Sequence, residues 1–175
     1  SPEIKAGVSL KRFPDMMSIA LSLGLLMASM PLVFYVFQIN KMIPVPEAMQ
    51  AVAEQANKTI KALMQMPTIW DFVANLLLIA VLPALGEELL FRGLIQRQLM
   101  RRMSPWVAII VTGALFSFFH FQVDGFLPRW LLGILLGWVF WQTGNFWVPV
   151  LLHFINNGVQ VVGQYLYGQQ ISTVD

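Results

Sequence analysis

Leu85-Gly86-Glu87-Glu88-Leu89-Leu90-Phe91-Arg92-Gly93 places two adjacent carboxylates and an arginine inside an almost unbroken apolar run from Phe72 to Leu99. A charged side chain near the middle of a membrane helix costs about 2.5–3.5 kcal/mol on insertion scales, so three unpaired charges would oppose insertion of this segment. Glu88 and Arg92 share one helical face with the acid N-terminal, and are expected to pair. Glu87 points about 100° away around the helix and has no partner at its own helical spacing. A lone intramembrane carboxylate is a functional-site hypothesis by default.

The rest of the composition agrees with a membrane setting. Hydrophobic residues make up 57% of the chain and charged residues 11%, against roughly a quarter charged in soluble domains. Mean hydropathy is +0.66. The fold class expected is all-α: a polytopic transmembrane bundle of about five spans plus one amphipathic interfacial helix, with residues 1–175 forming a single domain. A net charge of +2 gives no reason to expect nucleic acid as a partner, and the absence of cysteine excludes disulfides, thiolate metal sites and a cysteine nucleophile. The chain begins at Ser1 without an initiator methionine and shows no recognisable cleavable signal, which reads as a processed product or an excerpt of a longer chain.

Lys5, Lys11 and Arg12 precede the first long apolar run, Met16 to Ile39, and place the N-terminus on the cytoplasmic side by the positive-inside rule. Pro31 is expected to kink that run. Between Lys41 and Pro67, Met49, Val52, Ala56, Ile60 and Leu63 recur at three- and four-residue spacing against Glu54, Gln55, Lys58 and Lys61, the pattern of an amphipathic helix at the interface. Thr68, with Asp71 three residues on, starts a second span that ends among Arg97, Arg101 and Arg102. Pro83 within it cannot donate to the carbonyl of Ile79 and is expected to loosen the turn before Glu87. Ser104-Pro105 restarts the chain for a third span, Trp106 to about Phe121. A fourth, roughly Arg129 to Gln142, holds the close-packing pair Gly133 and Gly137. After Thr143-Gly144-Asn145, a fifth runs from Phe146 to about Tyr165.

Measured from Arg101 and Pro105 at the cytoplasmic surface, a rise of about 1.5 Å per residue puts Glu87 about 21 Å deep and His120 about 22 Å deep. His153 and Asn157 share a face of the last span, about 10 and 16 Å above Phe146. One polar cavity collecting Glu87, His120, His153 and Asn157 is the expected site. Singly, each histidine or asparagine reads as well as a structural interhelical hydrogen-bonder, and the Glu88 and Arg92 pair reads as structural support. Together they suit peptide hydrolysis. Glu87 would take a proton from water, and the histidines and the Asn157 amide would donate to the oxyanion. No serine sits in a nucleophile-elbow pattern. Glu87, His120 and His153 are also legal zinc ligands with one position open, so a metal route stays open although the HExxH helix motif is absent.

These residues resemble the CAAX protease and bacteriocin-processing family, also called Abi proteins, which includes the type II CAAX prenyl endopeptidases. Its three motifs are EExxxR, FxxxH and HxxxN on successive membrane helices. Here they read Glu87-Glu88 to Arg92, Phe116 to His120, and His153 to Asn157, in order, within about residues 71–163. The resemblance implies an intramembrane endopeptidase whose catalytic residues are Glu87, His120, His153 and Asn157, with Glu88, Arg92 and Phe116 supporting them. It implies a membrane-associated peptide or a lipidated, CAAX-type or bacteriocin-like protein as substrate, no certain cofactor, and membrane lipid as surroundings. Family members have been described both as metalloproteases and as metal-independent glutamyl proteases. Two other classes compete: a non-catalytic peptide-binding or self-immunity membrane protein using the same cavity, and a small transporter with a Glu and His proton relay.

Overall fold

The protein is described by a computed structural model covering residues 13–171, so the basic stretch at Lys5, Lys11 and Arg12 lies outside the described residues. Six helices follow one another: α1 (Met16–Asn40), α2 (Glu47–Leu63), α3 (Ile69–Met100), α4 (Pro105–Phe118), α5 (Phe126–Thr143) and α6 (Trp147–Ile171). No strand occurs among the described residues. The architecture is the all-α membrane bundle the sequence led us to expect, with a different span count. Among the described residues, three segments are both long and apolar enough to cross a bilayer: Met16–Asn40, Ile69–Met100 and Val123–Thr143. Helix α4 has 14 residues, about 21 Å of helix against a hydrocarbon core of roughly 30 Å. Helix α6 has the length, 25 residues, but it carries His153, Asn156, Asn157, Gln160 and Gln164.

Local chemistry explains most boundaries. Asp15 caps α1, accepting from the Ser18 amide at 2.8 Å and its hydroxyl at 2.7 Å. The helix then runs through Pro31 without interruption. Thr68 and Asp71 form a reciprocal capping box at the start of α3. Ser104 occupies the N-cap of α4 as expected, although its side chain makes no capping bond. Gly144 ends α5 at φ +60°, a left-handed turn that glycine adopts without Cβ strain. Asn145 then accepts from the Trp147 amide at 2.9 Å and opens α6.

Helix α3 is irregular where the sequence put Pro83. Its backbone is π-helical over Leu76–Val81, α-helical over Leu82–Glu88 and π-helical again over Leu89–Gln96. The Leu82 amide bonds to Leu77, one residue wider than an α-turn, so the loosening lies just ahead of the proline. The Glu87-Glu88 pair therefore rides on a single α-helical segment between two widened ones.

Packing around this helix is of two kinds. Leu26 of α1 joins Leu132, Leu136 and Val139 of α5 and Val148 and Leu152 of α6 in the main apolar core. Ala84 of α3 packs against Phe146 and Val150. By contrast Leu77, Leu78, Leu82, Leu89 and Leu94 of α3 stand exposed, an outer face suited to lipid. Helix α2 also leaves Val52, Ile60 and Leu63 exposed, while Lys58 and Glu54 pair on its surface at 2.7 Å. Asn40 ties the end of α1 to the loop ahead of α5, donating to the Val123 carbonyl and accepting from the Leu127 amide, both at 2.7 Å.

Candidate active site

Three helices deliver the polar residues to one place. Glu87 comes from α3, His120 from just beyond α4, and His153 from α6. The Glu87 Oε2 atom stands 3.9 Å from His120 Nε2 and 3.8 Å from His153 Nε2. It is sealed from solvent and has no hydrogen-bond partner. The side chains of Glu87 and His120 each retain 30% exposure, whereas His153 retains 3%. The site thus opens on the Glu87 and His120 side and closes behind His153.

The outward-facing atoms of both imidazoles are fixed by what the inner atoms touch. His120 Nδ1 lies 2.8 Å from the Phe116 carbonyl, which can only accept, so Nδ1 carries the hydrogen. His153 Nδ1 lies 2.9 Å from Glu88 Oε1, a carboxylate oxygen that also accepts from Arg92 Nη1 at 2.7 Å, so it too carries a hydrogen. In their neutral forms both rings therefore turn an unprotonated Nε2 toward Glu87. Two lone pairs and a carboxylate oxygen meet with no donor between them. A water donating both hydrogens, or a proton on one imidazole, satisfies that arrangement.

Zinc ligands at about 2.0–2.1 Å from the ion lie roughly 3.4 Å apart in a tetrahedral site. The 3.8 and 3.9 Å separations exceed that, and no group of three or more His, Cys, Asp or Glu side chains placed to hold a metal ion occurs among the described residues. As arranged, these three residues do not fit a shared zinc ion.

Behind the site runs a buried polar ladder. Glu88, Arg92 and Gln96 repeat at four-residue spacing along α3 and all are fully buried. Arg92 Nη2 donates to the Gly133 carbonyl at 2.9 Å, and Gln96 Nε2 to the Gly137 carbonyl at 2.8 Å. Both accepting carbonyls thus belong to the glycine pair of α5. Phe116 lies beneath the whole assembly: its ring meets His120 at 5.0 Å, His153 at 5.6 Å and the Arg92 guanidinium at 4.9 Å. The sequence reading found Glu88, Arg92 and Phe116 but missed Gln96, although it continues the same helical face.

Asn157 sits one turn beyond His153 and serves the scaffold as well. Its Nδ2 donates to the Ile79 carbonyl at 3.2 Å, and its Oδ1 accepts from Asn156 at 3.1 Å. Ile79 is four residues before Pro83, which has no N–H to offer it. The polar pocket predicted from depth therefore assembles Glu87, His120 and His153 around one gap, with one Asn157 hydrogen already committed to α3.

A family model described as Type II CAAX prenyl endopeptidase Rce1-like matches residues 69–159, more than half of the 175-residue chain. The chain belongs to that family. The match contains Glu87, His120, His153 and Asn157 and covers nearly the same stretch as the three motifs. The Bacillus subtilis (strain 168) protein called Uncharacterized protein YpbD is 34% identical over 94 residues, 50% of this chain and 44% of that protein. An Escherichia coli protein called Uncharacterized 24.3 kDa protein is 30% identical over 109 residues, 59% of this chain and 50% of that one. The chain spans about half the length of these curated relatives. No solved structure matches it.

Proposed function

We propose that this chain is an intramembrane endopeptidase that hydrolyses a peptide bond in a membrane-associated or lipidated substrate, CAAX-type or bacteriocin-like, with Glu87 activating the water. The observation that carries the reading is the sealed, unbonded Glu87 Oε2 faced by two imidazole nitrogens from two other structural elements. A water between them gives one hydrogen to Glu87 and the other to an imidazole, which aims its lone pair at the substrate carbonyl. As the C–O bond forms, the proton passes to Glu87 and negative charge grows on the carbonyl oxygen. The remaining Asn157 amide hydrogen, or a proton held on His120 or His153, stabilises that oxygen. When the C–N bond breaks, the Glu87 proton goes to the departing amine.

Glu88 and Arg92 act through position. The carboxylate of Glu88 fixes the His153 tautomer, and Arg92 pairs with the same Glu88 oxygen at 2.7 Å. The basic segment before α1 places the N-terminus on the cytoplasmic side in this reading.

The test is cleavage of a peptide set, including farnesylated C-terminal CAAX peptides, by the purified protein in detergent. Wild type should cleave, Glu87→Gln should fall by at least about 100-fold, as expected for loss of a general base, and a strong chelator should leave the wild-type rate unchanged. Retained cleavage in Glu87→Gln sinks the base assignment. Loss on chelation with rescue by zinc replaces the water mechanism with a metal-bound one. If wild type cleaves no peptide while binding several, the non-catalytic binding protein is the correct class.

A further inference from the structure

The polar residues of α6 are gathered on one side of the helix. Between Trp147 and Gly168 its histidine, asparagine and glutamine residues are His153, Asn156, Asn157, Gln160 and Gln164. At 100° per residue they fall within about 100° of arc. Val159, Val162 and Leu166, which stand exposed on the same helix, lie outside that arc and centre about 140° away from it. That apolar side suits lipid. The polar side begins in the candidate site, where His153 faces Glu87, and continues beyond it as the exposed Gln160 and Gln164.

Helix α4 stops too early to cover this continuation. The Phe116 ring meets His153 at 5.6 Å, and the helix ends two residues later at Phe118. Gln160 and Gln164 stand about 10.5 and 16.5 Å farther along α6 than His153. Set against hydrocarbon, two such amides are unfavourable unless a polar partner meets them. Gln160 Nε2 donates to its own helix at the Asn156 carbonyl, 3.2 Å away, which leaves its Oε1 and one hydrogen to offer. Gln164 makes no hydrogen bond among the described residues. Gly168 gives its amide room, since a Cβ there would collide with the amide nitrogen.

We propose that Gln160 and Gln164 form a track for the backbone of an extended peptide substrate, on one flank of the bond that Glu87 attacks. This rests on the protease reading of Glu87. An extended chain advances about 3.3 Å per residue and presents the same edge every second residue, about 6.6 Å on. The two glutamines are about 6 Å apart along the helix, so each meets one peptide unit on that edge. Counted from His153, they stand about three and five residues from the reacting bond. A primary amide supplies both a donor and an acceptor, as a peptide unit requires, and main-chain bonding of this kind holds a chain whatever its side chains. The track thereby selects for an extended, unblocked backbone long enough to reach it.

One peptide is lengthened a residue at a time from each end, and its cleavage is followed in detergent. On one flank, adding the third and the fifth residue should each lower KM by about fivefold with kcat unchanged, the effect of one hydrogen bond. Gln160→Leu should erase the step at the third residue, and Gln164→Leu the step at the fifth. N-methylating the peptide nitrogens of that stretch should erase the steps in wild type and add nothing in the matching variant. A KM that ignores length on both flanks overturns the proposal, as does a loss in the leucine variants that is the same for the shortest and longest peptides. Steps that survive N-methylation assign the gain to side chains and overturn the backbone track. Binding of labelled short and long peptides to Glu87→Gln, with and without the leucine changes, separates the two readings. Length-dependent binding that the leucines abolish, without turnover in wild type, retires the protease and keeps the track; turnover without length dependence does the reverse.

Discussion

Asn157 Nδ2 donates to the main-chain oxygen of Ile79 across 3.2 Å, and Ile79 is the residue to which Pro83 offers no hydrogen. A side chain on α6 thus repairs a break in α3 one turn before Glu87, which ties the position of His153 to that of the carboxylate it faces. Interhelical bonds of this kind contribute about 0.6 kcal/mol on average and up to about 1.7 kcal/mol in a membrane protein. Asn157→Ala should lower the unfolding free energy in detergent by an amount in that range. In a Pro83→Ala background, where the backbone regains a donor, the same substitution should cost less. A double-mutant cycle with no coupling between the two positions would sink the repair role.

At the start of α1, Asp15 accepts from the Ser18 amide and hydroxyl, and these bonds hold its carboxyl below the ordinary value of 3.8. A depressed folded-state value stabilises the folded form above the unfolded value and loses that contribution as pH falls through the folded value. The first turn of α1 should therefore fray below about pH 3.8. Amide exchange at Ser18 should accelerate there in wild type. Asp15→Asn, which keeps a capping oxygen that does not titrate, should show no such pH dependence.

Arg92 and Glu88 form a fully buried pair that also orients His153. Removing one partner leaves the other charged in the interior, and Arg92→Met should cost about 3–5 kcal/mol. The combined Glu88→Leu and Arg92→Met change should recover much of that stability, because no lone charge remains. It should not recover peptidase activity, since His153 loses the carboxylate that sets its tautomer. Thermal melting and cleavage rate, measured on both variants, report the two effects separately; activity returning with stability would reduce Glu88 to a structural role.

The convergence of Glu87, His120 and His153 was legible because residue counts along a helix give depth, and side chains of equal depth on packed spans meet. Glu88 and Arg92 were legible for a more local reason, their four-residue spacing. Depth says nothing of rotation about the axis. The two π-helical stretches of α3 shift the angular position of everything after Leu76, and no pattern in Leu76–Val81 announces them. For that reason the donor role of Asn157 toward Ile79 and the contact of Gln96 with Gly137 were not readable. Arg129 was read only as the approximate start of the fourth span, because its partner, the Gln122 carbonyl, belongs to the loop that holds the left-handed turn at Phe121. The span count is the coarse part of the reading: α4 is largely apolar, yet at 14 residues, ending at Phe118, it is shorter than a full crossing.

Gly133 and Gly137 look equivalent in sequence, and the structure separates them. A Cβ on Gly133 would stand 2.8 Å from the Gly113 Cα of α4 and 3.2 Å from its carbonyl oxygen, so two backbones must part to admit it. On Gly137 the nearest atom is Gln96 Oε1, also at 2.8 Å, the free end of a side chain. Overpacking of this sort costs typically about 1–3 kcal/mol, and Gly133→Ala should fall at the upper end. It should also slow cleavage, because displacing α5 pulls the Gly133 carbonyl from Arg92 and loosens Glu88 behind His153. Gly137→Ala should be milder, and pairing it with Gln96→Ala should relieve the crowding, which Gln96→Ala cannot do for Gly133→Ala. Melting temperatures of the three alanine variants and the two doubles decide the matter: equal losses at both glycines, or relief of Gly133→Ala by Gln96→Ala, would contradict this division between a backbone contact and a side-chain contact.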